Sequence, residues 1–125
     1  MDVKFRIWLV AMLVASTGPL AAQSRLSMKV SPAIAFAPAN LTMRATVAPD
    51  SRNRWLEIVA DSEDYYRSSE IQLDGERAPR TTIVEFPSVP GGVYHVSATL
   101  KGTGGVELGY AEYAVTVVES EVSFR

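Results

Sequence analysis

Three groups of residues in this chain have types and spacing that bear on chemistry. Asp61-Ser62-Glu63-Asp64 places three carboxylates within four positions, and hard oxygen ligands at short spacing are what a calcium ion takes. No Asp-x-Asp-x-Asp-Gly register and no turn glycine accompany them, so the stretch reads as a solvated acidic loop beside Arg67, and no metal site is expected. His95 is the chain's one histidine, which rules out a multi-histidine metal centre, and it alternates outward between Tyr94 and Val96. No serine stands in a Gly-x-Ser-x-Gly elbow, so no nucleophile is activated and no catalytic residue is expected. The third group is aromatic. Trp55, Tyr65 and Tyr66, with Arg67 beside them, are the candidate binding residues, a flat platform on which sugar rings or a peptide would stack.

These residues must be positioned by strands, because the chain reads in twos and no stretch of ten or more residues shows a helical period. Leu41, Met43, Ala45 and Val47 alternate with Thr42, Arg44 and Thr46, and Tyr94, Val96, Ala98 and Leu100 alternate with His95, Ser97 and Thr99. The same period runs through Tyr113, Val115 and Val117. Further strands are expected at Leu26 to Val30, Arg54 to Ala60, Ser68 to Leu73 and Thr81 to Phe86, seven in all. Pro49 to Asn53, Asp74-Gly75, Pro87 to Gly92 and Lys101 to Gly105 are the turns between them. The apolar parity slips by one residue along the last strand, which calls for a bulge near Gly109. Ser31 to Pro38 carries prolines at both ends, so it is expected as an edge strand or a crossing.

Within the third strand, Leu56, Ile58 and Ala60 share one face and Trp55, Glu57 and Val59 the other. Sandwich domains commonly keep a core tryptophan on this central strand. The inverted assignment, with Trp55 inside, is therefore the favoured reading, and the outward one stays open.

The N-terminus is of another kind. Lys4 and Arg6 precede nine residues, Ile7 to Ala15, without a charge or polar side chain, and Ser16-Thr17-Gly18-Pro19 interrupts the run. A membrane-spanning helix needs about 20 apolar residues. This is the pattern of a signal peptide, with cleavage expected after Ala22, so residues 1–22 are the leader and 23–125 the domain. The mature chain then keeps 10 basic and 13 acidic side chains on 103 residues. That mild acidity excludes a nucleic-acid binder, which needs a basic stripe to displace counterions. The absence of cysteine excludes a disulfide, a thiolate metal site and a lipid-modified cysteine, and it suits a bacterial periplasm or medium. No stable membrane insertion is expected once the leader is removed, and no cofactor is indicated.

The stretch Phe86-Pro87-Ser88-Val89-Pro90-Gly91-Gly92-Val93-Tyr94-His95-Val96-Ser97-Ala98 resembles the F-x-x-L/V-P-x-G-x-Y-x-V-x-A pattern of bacterial immunoglobulin-like and fibronectin type III-like domains. The resemblance implies an all-β, antiparallel immunoglobulin-like sandwich of about seven strands. Pro90 and Gly91 would make the corner, and Tyr94 would bury its ring while its hydroxyl reaches backbone. The family's cysteine pair is missing, so a disulfide-free variant is implied, and no functional residue carries over. The expectation is a non-catalytic, exported binding or structural module, periplasmic or secreted. Its partner would be a protein or, alternatively, a glycan bound on exposed aromatics.

Overall fold

The computed structural model describes residues 25–119, and the expected leader and its cleavage site lie outside them. Eight strands form from the period-two segments: β1 (Leu26–Ser31), β2 (Ile34–Phe36), β3 (Ala39–Val47), β4 (Trp55–Asp61), β5 (Tyr66–Gln72), β6 (Thr81–Val89), β7 (Gly92–Lys101) and β8 (Glu107–Val118). They make two sheets, one in the order β1-β3-β6 and the other in the order β2-β8-β7-β4-β5. Among the described residues, no helix is long and apolar enough to cross a membrane.

The eighth strand is the proline-bounded segment, which corrects the expected count of seven. Pro32 and Pro38 have no N–H to give a ladder, so the chain leaves the first sheet after Ser31 and makes a three-residue strand on the edge of the second. That strand pairs parallel with β8, Ile34 opposite Thr116 and Phe36 opposite Val118, whereas the other strand pairs are antiparallel.

The core lies between the sheets, where the alternation points one side chain in two. Leu41, Met43 and Ala45 of β3 face Leu56, Ile58 and Ala60 of β4 and Val96, Ala98 and Leu100 of β7, all of them buried. Each large one contributes about 1.5–3 kcal/mol relative to exposure. The parity slip in β8 is absorbed where Leu100 pairs with Gly109 but Lys101 pairs with Glu107, leaving Leu108 as the extra residue. Gly109 suits this place because a Cβ there would sit 3.2 Å from Cβ of Leu26 on β1. After β5, Gly75 adopts φ +55 in the turn that carries the chain to the opposite sheet.

The corner from β6 to β7 is built on Tyr94. Its ring is buried, its hydroxyl donates to the Pro90 carbonyl at 2.8 Å, and the Tyr65 ring meets it edge-on with centroids 6.0 Å apart. Burial in this corner pushes the Tyr94 hydroxyl above its ordinary pKa, because the ionised form would lose its hydration.

Candidate functional site

The four residues grouped as a binding platform fall in four different environments. Trp55 opens β4 on the outer face of the five-stranded sheet, 37% exposed, between Lys101 of β7 and Gln72 of β5. The favoured core reading is therefore corrected. Leu56, Ile58 and Ala60 fill the inner face of β4, and strand parity leaves Trp55 no place there. Tyr66 is exposed on the same outer face but opposite Asp61, at the far end of the β4–β5 pair. Six residues of strand separate these two rings, about 20 Å at ~3.3 Å per residue.

Tyr65 and Arg67 turn the other way. Tyr65 packs on Tyr94, and its carbonyl accepts the Ser62 N–H at 2.8 Å. Arg67 pairs with inward-facing Ala60, and its guanidinium lies 5.1 Å from the centroid of the Phe86 ring, whose strand belongs to the opposite sheet. It thus lies over the core at the β5 edge, a use that suits a weakly hydrated planar cation. Sequence reasoning grouped these residues by proximity along the chain, while the strand period sends neighbours to opposite faces.

The acidic stretch is the β4–β5 turn. Asp61 ends β4, and Ser62, Glu63 and Asp64 border a shallow cleft of about 370 Å³ whose other wall is Gly91, Gly92 and Val93. Among the described residues, no three histidine or carboxylate side chains gather into a metal-holding cluster. His95 stands on the outer face with its Nε2 3.4 Å from a Glu112 carboxylate oxygen, both groups well exposed. Glu57 and Lys101 form a second cross-strand pair at 3.0 Å. The first of these, an exposed pair, is worth little in stability. A second cleft, about 440 Å³, lies between the start of β1 and the Leu108 bulge.

One surface feature was not picked out from sequence. Ile34, Phe36 and Val93 are 70%, 71% and 73% exposed, and Val118 is exposed beside them. They are contiguous: Val93 on β7 is opposite Thr116 on β8, Thr116 is opposite Ile34 on β2, and Phe36 is opposite Val118. The result is an apolar corner at the β2 edge of the sheet. Its sequence signal is phase, since Val93 and Val118 fall out of step with buried Tyr94 and Val96 and with buried Val115 and Val117.

No family model matches this chain, and no curated protein matches it. Solved structures do. A variant of the superoxide reductase (neelaredoxin) of Ignicoccus hospitalis superposes with a TM-score of 0.52 at 14% identity, covering 78% of this chain and 82% of that one. The CARDB domain of a Pyrococcus furiosus protein gives 0.51 at 14% identity, covering 74% and 92%. A family 76 glycoside hydrolase from a bovine Bacteroides thetaiotaomicron strain gives 0.52 at 12% identity over 74% of this chain and 20% of the hydrolase. At such identities the likeness concerns the fold alone, and unrelated functions are built on one fold.

Proposed function

We propose that the chain is an exported, non-catalytic binding module that contacts another protein in the periplasm or at the cell surface, within the bacterial immunoglobulin-like and fibronectin type III-like group. One observation carries the contact: the apolar corner of Ile34, Phe36, Val93 and Val118. An apolar patch of several large side chains on neighbouring strands is costly to leave in water, and such patches mark contact sites. Export is supported by the residue pattern of positions 1–22, and the family reading by the Pro90-Gly91 corner closed by Tyr94.

The test is a comparative pull-down from envelope extract. The wild-type chain is expected to retain a protein that Phe36→Asp fails to retain, while Ser68→Asp, a change on the opposite edge, keeps it. Equal recovery by all three chains refutes the contact at this corner, and recovery of nothing by any of them refutes a different envelope protein as the partner. Export is checked by mass spectrometry of the mature N-terminus, expected at Gln23.

A second reading, glycan binding, is favoured by the outward placement of Trp55. Tyr110 stands on the same face two strands away, so the pair would span a short run of sugar units. Glycan-array signal lost in Trp55→Ala would establish it, and a flat array would remove it.

A further inference from the structure

The apolar corner has a backbone counterpart that specifies its occupant. In the parallel pairing of β2 with β8, the Ala33 carbonyl accepts the Thr116 N–H at 3.0 Å and the Ala37 N–H donates to the Val118 carbonyl at 2.8 Å. Strand alternation then directs the groups of Ala35 toward β8 as well. The N–H and C=O of Ile34 and of Phe36 therefore point the other way, along an edge at which β2 is the terminal strand of its sheet among the described residues. Four backbone groups are thus presented in the plane of the sheet, directly beneath two large exposed side chains.

We infer that this edge pairs with the same edge of a second copy of the chain. This rests on the reading of the corner as a contact surface and names the partner. An antiparallel β2 brought up about a two-fold axis through Ala35 sets Ile34 opposite Phe36 of the other copy and Phe36 opposite its Ile34. Both are pairs in which the two residues exchange two hydrogen bonds, so all four outward groups of each strand are satisfied. The side chains match equally well. Ile34 and Phe36 lie on one face of the sheet, so two copies bring four apolar groups into a single cluster, flanked by Val118 from each. A two-fold contact needs a surface complementary to itself, and a patch without charge at its centre meets that condition where a patch of one sign would not.

The prolines decide between a second copy and a flexible peptide. Pro32 and Pro38 have no N–H, so the ladder ends at three residues on either side. Four hydrogen bonds do not offset the entropy of ordering a free segment. A second copy already holds its β2 in strand form against β8 and brings its own apolar side chains. The patch, a few hundred Å² on each copy, is smaller than the ~800 Å² per partner of a standard interface, so the pair is a weak one.

The experiment uses chain expressed from its full 125-residue sequence. Sedimentation equilibrium is expected to show conversion from one copy to two between about 10 µM and 1 mM. Phe36→Asp is expected to move the midpoint up by about tenfold or more, the charge being set against the partner's apolar side chain. Because the chain has no cysteine, Ala35→Cys gives an independent readout that needs no disruptive change. Across the two-fold axis the Cα atoms would lie ~4.5 Å apart, within disulfide reach, so mild oxidation should yield a covalent dimer much faster than Ser68→Cys on the opposite edge.

A chain that stays single to 1 mM, with Ala35→Cys cross-linking no faster than Ser68→Cys, overturns the inference. So does a dimer that Phe36→Asp leaves unchanged, since it would use another surface. A single-copy chain that still captures a different envelope protein, and loses it in Phe36→Asp, overturns the second copy while leaving the contact surface standing.

Discussion

The Tyr94 hydroxyl donates to the Pro90 carbonyl at 2.8 Å, four residues upstream, and so ties the start of β7 back to the corner that precedes it. The Pro90 carbonyl has no strand partner at that bend, and the tyrosine supplies the donor while its ring fills the end of the core. Tyr94→Phe keeps the ring and deletes the bond, so it should lower unfolding free energy by about 1 kcal/mol at neutral pH in urea titrations. The pH dependence follows from burial, which raises the hydroxyl's pKa in the folded chain. This contribution is complete below the ordinary tyrosine value near 10 and is lost as pH rises through the higher folded value. The wild-type advantage over Tyr94→Phe should therefore shrink in strong alkali, and ultraviolet titration should show one late-ionising tyrosine fewer in the variant.

Adjacent residues of β4 should respond very differently to truncation. Ile58 is fully buried between the sheets, and Ile58→Ala should cost about 2–5 kcal/mol. Val59 points to the outer face, and Val59→Ala should cost under ~1 kcal/mol. Thermal denaturation of the two variants tests the register directly, because a slip of one residue would exchange the two values.

Trp55 is expected to report a wet environment. In a Trp8→Phe chain, which leaves Trp55 as the only tryptophan, acrylamide should quench its emission readily and Trp55→Ala should cost under ~1.5 kcal/mol. Blue-shifted, unquenched emission would put the ring inside.

Asp50 and Arg52 set an acid-side expectation. The Asp50 carboxylate accepts two bonds from the Arg52 guanidinium, at 2.7 and 3.0 Å, and one from the Arg52 amide at 2.9 Å. The guanidinium bonds, then the amide bond, hold the carboxyl well below the usual carboxylate range. Its stabilisation is present above the ordinary value near 3.8 and is lost only as pH falls through the lower folded one. Carboxyl carbon shifts followed by NMR should show Asp50 still ionised well below the ordinary value near 3.8, and Arg52→Ala should return its titration toward that value.

Much of this architecture was legible because a half-buried strand prints its period on the sequence. Leu41 to Val47 and Tyr94 to Leu100 read without ambiguity, and the slip near Gly109 located the bulge to within one residue. The proline-bounded segment announced an edge, but nothing local told that it would join the opposite sheet in parallel, since that depends on where β8 ends. Trp55 read both ways because a general habit of sandwich domains competed with the parity of its own strand, and parity prevailed. The dispersal of Tyr65, Tyr66 and Arg67 was hidden for another reason. Which of them turns inward is set by the register of β5 on β4, and what receives the inward ones, Tyr94 for Tyr65 and Phe86 for Arg67, arrives from strands far along the chain.

Arg67 has a further consequence at the assembly level. It projects inward from the outermost strand on the β5 side, so a strand arriving there would have to strip a guanidinium from its place over Phe86 before packing could begin. The two borders of the five-stranded sheet are thus unequal, one armed with a charge and the other bare. A sheet with two bare borders would add copy after copy into a fibre, whereas a sheet with one closes on itself at two.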